Sequence, residues 1–125
     1  DLKAVVKPAQ ILSARKIVDQ IHMAENIQQY IVSLVLATRN PSEYGLKDLA
    51  SLINFGASPR ATIFLATASK SHAFLNKRGF VIPEDVRSVG KSILRHRIIL
   101  TYEAEAEEIT TEDIIQRIYE SVPTP

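Results

Sequence analysis

The residues best suited to chemistry stand together at Gly56-Ala57-Ser58-Pro59-Arg60. Ser58 followed by Pro59 predicts a helix start: a hydroxyl cap, then the residue preferred in a first turn. Arg60 falls in that turn, where a cation opposes the helix dipole by roughly a few tenths of a kcal/mol. A residue set against the local rule invites a functional reason. An arginine beside the free N–H groups of a helix start suits an oxyanion such as phosphate. The plainer alternative is a solvated arginine that follows a cap, and spacing alone leaves both open. A serine nucleophile is excluded, because a nucleophile elbow needs a second glycine where Arg60 stands.

Other clusters are weaker. Asp19, His22 and Glu25 recur at steps of three, which drift around a helix, and no second histidine supports a metal site there. His72 reads as a surface or core-edge residue of a long helix. Arg95-His96-Arg97, with Lys77, Arg78, Arg87 and Lys91, could touch nucleic acid, but it lacks the interleaved aromatics of such surfaces and reads as a solvated or inter-domain face. The acidic run from Glu103 to Glu108 reads as a solvated helix end or loop.

The elements that must position these residues are mostly helical. Ile11, Ala14, Val18 and Ile21 mark the buried stripe of a first helix, with Pro8 in its opening turn. A second helix spans about Glu25 to Arg39, burying Ile27, Tyr30, Ile31, Leu34 and Val35. Val32 and Leu36 widen its apolar arc and predict a central position. Asn40-Pro41 ends it, and a loop follows. Leu46, Leu49, Leu52 and Ile53 predict a short helical or irregular segment ending at Gly56. The helix opened by Ser58 should run to about Arg78 on an inner face of Ala61, Phe64, Leu65, Ala68 and Leu75, with Gly79 as its left-handed stop. Phe80-Val81-Ile82 predicts a short extended piece before a helix at Pro83-Glu84-Asp85, whose stripe is Val86, Val89 and Ile93. Arg97 to Tyr102 predicts a short strand. Thr111-Glu112-Asp113 opens a last helix burying Ile114, Ile115, Ile118 and Val122. The fold expectation is an all-α domain of five or six helices, with at most a very short two-strand piece.

Composition sets the limits. The 125 residues are 46% hydrophobic, enough for a core, and only 6% aromatic without tryptophan, so that core is aliphatic. The net charge of +1 argues against a generic electrostatic nucleic-acid binder. It hides an asymmetry: residues 60–97 carry eight basic and two acidic groups, and residues 98–125 one basic and seven acidic. The plain reading is that the two blocks lie close and screen each other, the alternative that they face different partners. Without cysteine there is no disulfide scaffold or thiolate site, which fits a reducing compartment. The four glycines, at 45, 56, 79 and 90, are too scattered for a phosphate-cradling loop, so the chain is not a self-sufficient nucleotide hydrolase. The longest uncharged apolar run, Tyr30 to Thr38, is too short to cross a bilayer. The chain opens on Asp1 rather than Met, which reads as a processed product or an excised fragment.

Three motifs occur in order: Gly56-Ala57-Ser58-Pro59-Arg60-Ala61, Phe80-Val81-Ile82-Pro83-Glu84-Asp85-Val86 and Ile93-Leu94-Arg95-His96-Arg97-Ile98. Together they closely resemble the C-terminal lid of the MoxR group of AAA+ ATPases, kin to the lid of magnesium-chelatase ATPase subunits. Val18 to Arg39, ending Ala37-Thr38-Arg39, is similar to the family's first lid helices, and the tail from Tyr102 to Pro123 also fits. The resemblance implies that residues 1–125 are one lid domain of a longer ATPase. Arg60 would then be the sensor 2 arginine, which reaches the γ-phosphate of ATP bound in the neighbouring core domain. Ser58 and Pro59 would fix the helix start that aims it. ATP and Mg²⁺ would belong to the full-length protein, with no cofactor expected for this stretch alone. The resemblance further implies a cytoplasmic, chaperone-like remodeller assembled as a ring, usually hexameric, often with von Willebrand factor A domain partners. The rival reading is an independent helical interaction module, binding nucleic acid through the basic 60–97 block.

Overall fold

A computed structural model describes all 125 residues. Six α-helices run in the order α1 (Pro8–Asp19), α2 (Glu25–Arg39), α3 (Arg60–Leu75), α4 (Pro83–Leu94), α5 (Tyr102–Ala106) and α6 (Thr111–Ser121). Two strands, β1 (Ile53–Phe55) and β2 (Ile99–Leu100), pair antiparallel with Ile53 opposite Leu100 and Phe55 opposite Ile99. The fold is all-α with one minimal ribbon, as the pattern predicts. No helix is long and apolar enough to cross a membrane.

Helix α2 has the predicted bounds and is the hub, packing on α3, α4, α6 and β1. Ile27, Tyr30, Ile31, Leu34 and Val35 are all buried, joined by Ala37 and Thr38. The buried arc is narrower than expected, since Val32 and Leu36 remain exposed. Helix α6 buries Ile114, Ile115 and Ile118, with Val122 just beyond it. Its cap is Thr110, one residue earlier than predicted: Asp113 N–H donates to the Thr110 hydroxyl (3.2 Å), and Thr110 N–H to the Asp113 carboxylate (2.9 Å).

Other expectations are corrected. In α1 only the C-terminal end reaches the core, through Val18 and then Ile21. Ile11 is 52% exposed, Leu12 57% and Ile17 50%, because nothing in this chain covers the rest of that stripe. Leu46 to Phe55 takes the irregular of the two expected forms rather than the helical one. Two short 3₁₀ turns, Pro41–Tyr44 and Lys47–Leu49, lead into β1, which exists only because β2 pairs with it from far along the chain.

Helix α3 stops at Leu75 rather than near Arg78, and Lys77, not Gly79, takes the left-handed conformation (φ 58°). The Arg78 N–H bonds to the Ala73 carbonyl (3.0 Å) and the Lys77 N–H to that of Phe74 (2.9 Å), the two bonds of a Schellman stop. The inner face is Ala61, Leu65, Ser69 and Ala73, at steps of four, on a helix that packs on α1, α2 and α4. Phe64 and Leu75, expected inside, are exposed.

The extended piece at 80–82 forms as predicted, bridging to His22: His22 N–H donates to Gly79 (2.9 Å) and Val81 N–H to His22 (2.9 Å). In α4, Val86, Gly90 and Leu94 are buried, while Val89 and Ile93 pack at the core's edge. A side chain at Gly90 would collide with the Tyr119 hydroxyl, which donates to the Arg87 carbonyl (3.0 Å). Tyr102 starts α5 instead of extending β2, capped by the Thr101 hydroxyl.

Candidate functional site

Ser58, Pro59 and Arg60 lie exposed at the start of α3. The start is built differently from the expected cap. The Ser58 hydroxyl makes no cap bond; its carbonyl instead accepts from Ala61 N–H (2.9 Å). Pro59, already helical at φ −55°, accepts from Thr62 N–H (3.1 Å) and the Thr62 hydroxyl (2.6 Å). These bonds satisfy Ala61 and Thr62 and leave the N–H groups of Ser58 and Arg60 without a partner.

Arg60 itself makes no hydrogen bond or ion pair within the chain, whereas most of the other arginines are engaged. Arg39 donates to the Ala57 carbonyl (3.2 Å), and Arg87 donates to the Tyr30 hydroxyl (3.1 Å) and to Thr124. Arg97 stacks over Phe64 at 4.6 Å, and Arg117 pairs with Asp48 at 2.8 Å. Arg78 is clamped to Asp85. Five of the eight arginines are thus occupied, and of the other three only Arg60 opens a helix. A free guanidinium beside two free N–H donors can meet an oxyanion that comes from outside the chain.

The opposite end of α3 holds a cluster that the sequence reading did not assemble. Asp85 is fully buried at the start of α4. Its carboxylate accepts from Arg78 Nη1 (2.6 Å) and Nη2 (2.8 Å), from His72 Nδ1 (2.6 Å) and from the Ile82 N–H (2.8 Å). Burial pushes its pKa up, but the bonds from Arg78, Ile82 and His72 outweigh that and hold it at about 2. Asp85 was legible only as an acid favourable to the α4 dipole; Arg78 and Asp85 flanking one short extended piece were the available signal. His72, expected at the surface or core edge, belongs to this junction.

The two charge blocks lie close, since α4 packs on α6, but no ion pair joins them. The ion pairs of Arg78 and His72 with Asp85 lie inside the basic block, and that of Arg117 reaches back to Asp48. The basic block is also thinner than its count suggests, since Arg78, Arg87 and Arg97 are spent on internal partners. Asp19, His22 and Glu25 do not converge on a site able to hold a metal ion.

A family model described as the AAA lid domain matches residues 47–118, more than half of the chain. The chain belongs to the AAA lid domain family. Over 98% of its length it is 37% identical to the chaperone MoxR1 of Mycobacterium tuberculosis, covering 33% of that protein. It is 34% identical to the protein MoxR of Methylorubrum extorquens over 79% of this chain and 30% of the relative. Among solved structures, a candidate ATPase from Cytophaga hutchinsonii superposes with a TM-score of 0.93 at 45% identity, over 98% of this chain and 37% of the other. This AAA lid therefore spans about a third of the length of those relatives. The likeness to MoxR-type lids read from the three motifs is thereby confirmed.

Proposed function

We propose that this AAA lid works as part of a longer MoxR-type ATPase, in which Arg60 is the sensor 2 residue facing the phosphates of ATP bound by a core domain. The observation that carries the reading is the free Arg60 guanidinium at a helix start that also leaves the Ser58 and Arg60 N–H groups unpaired. Leaving a cation unpaired against the helix dipole costs a little locally, and a phosphate brought by another domain repays it. Ser58 and Pro59 contribute by setting the first turn, through backbone carbonyls rather than through the serine hydroxyl.

Residues here fit the anionic part of ATP and none groups as a Mg²⁺ site, so the metal would be held outside this stretch. Nucleotide bound there supplies a phosphoryl group whose charge builds during hydrolysis. Arg60 would stabilise that charge and make the position of the lid depend on whether the phosphate is present. The same reading includes the core domain as immediate partner and assembly into a ring, commonly of six subunits. Chaperone-like remodelling, von Willebrand factor A domain partners and a cytoplasmic location follow from the MoxR likeness.

In the full-length protein, Arg60→Ala should lower ATP turnover about 100-fold, the scale expected for losing a preorganised charge contact, with helical content unchanged. Turnover equal to wild type would refute the assignment. For residues 1–125 alone, titration should give an ATP Kd no tighter than about 1 mM, because one guanidinium and two N–H groups cannot hold a triphosphate. Micromolar binding would contradict the division of labour between lid and core.

A further inference from the structure

We propose that Thr38, at the end of α2, is a positioning residue for Arg60; the proposal rests on the sensor reading of Arg60. Thr38 is fully buried, and its hydroxyl is used twice. It donates to the Val35 carbonyl (2.6 Å) and accepts from the Ala57 N–H (2.9 Å). The first bond is the ordinary back-bond of a helical threonine. The second spans 19 residues and ties the hub helix to the backbone just before Arg60.

Two neighbours complete the tie. A side chain at Gly56 would fall on the Thr38 carbonyl oxygen and within 2.8 Å of the Arg39 Cα, so glycine permits the close approach of the two backbones. Arg39 Nη1 donates to the Ala57 carbonyl at 3.2 Å. Ala57, itself buried, therefore has both backbone groups bound to the last two residues of α2. Between this anchor and Arg60 stand only Ser58 and Pro59, and the proline ring fixes one of the remaining torsions. The origin of the Arg60 side chain is thus indexed to α2, which packs on α3, α4, α6 and β1.

Valine has nearly the shape of threonine. If packing alone were required at this position, it would serve as well. What it lacks is the acceptor for Ala57 N–H and the donor to Val35. Losing them frees the loop to shift, and a misplacement of about 1 Å at a charge contact can cost up to about 100-fold in rate.

The test uses ATP turnover by the full-length protein with Thr38→Val, Thr38→Ser and Arg39→Ala, each alone and combined with Arg60→Ala. Thr38→Val should lower kcat about tenfold and Arg39→Ala about threefold, whereas Thr38→Ser should stay within about twofold of wild type. On the Arg60→Ala background both losses should vanish, because a residue acting through Arg60 has nothing left to position. Equal losses with and without Arg60, or full activity of a folded Thr38→Val protein, would overturn the proposal. If Thr38→Val does not fold, the solvent-exposed Arg39→Ala carries the same comparison, and an equal loss on both backgrounds overturns it. A fully active Arg60→Ala protein would remove the sensor reading and this proposal together. An impaired Arg60→Ala with additive Thr38 and Arg39 effects would remove this proposal alone.

Discussion

The two ends of α3 are built on opposite principles. At the C-terminal end, a buried carboxylate gathers a guanidinium, an imidazole and a backbone N–H, so every charge has a partner. At the N-terminal end, Arg60 is exposed, sits against the dipole and has no partner. Both ends are held firmly, one by Asp85 and the other by the tie from Thr38 to Ala57. The difference is where the charge is satisfied. A junction that only joins α3 to α4 closes its electrostatics internally, whereas the other end keeps its cation free on a rigid base, as the proposed contact with a ligand held by another domain would require.

That contrast predicts very different responses to substitution. Asp85→Ala strands Arg78 and His72 and should cost about 3 kcal/mol, the low end for breaking a buried pair since Arg78 is partly solvated. A thermal melt of residues 1–125 should then shift down by roughly 10 °C. A shift under about 2 °C would mean that the junction is not closed as described.

The same carboxylate should make stability depend on acid. Its folded pKa, about 2, lies below the ordinary 3.8, so the unfolded chain binds the proton more readily. Its contribution, on the order of 2 kcal/mol, is complete above about pH 5 and is lost as pH falls toward 2. Urea midpoints of wild type and Asp85→Asn should accordingly converge between pH 5 and pH 2. A constant gap would contradict the pairing.

The smallest effect belongs to the other end. Arg60→Ala in the same stretch should leave stability within about 0.5 kcal/mol of wild type, on the favourable side, since it removes a cation from the positive end of a helix dipole. Destabilisation beyond about 1 kcal/mol would show that Arg60 has an internal structural role and would erase the contrast.

What could be read in advance follows the same division between local and distant causes. The spacing of Ile27, Tyr30, Ile31, Leu34 and Val35, and of Ile114, Ile115 and Ile118, located α2 and α6 because their apolar faces meet the core of this chain. The stripe on α1 is just as regular, yet Ile11 is exposed, because periodicity shows that a face is apolar and not what covers it. The leucines at 46, 49 and 52 imitate a helix, while the strand beside them depends on a partner more than 40 residues away, at Ile99 and Leu100. At the site, the place of Arg60 was legible from Ser58-Pro59, since helix starts are written locally. The capping mode was not, because the Ser58 carbonyl substitutes for its hydroxyl. The bonds of Thr38 to Ala57 and of His72 to Asp85 were beyond reach for the same reason as β1: each joins segments that only the folded chain brings together.

The most direct test measures Arg60→Ala twice in one preparation of the full-length protein, once for Tm and once for ATP turnover. A cation kept free for a phosphate would give an unchanged Tm and a turnover reduced about 100-fold. Unchanged turnover, or a loss that merely tracks a lowered Tm, would contradict that role.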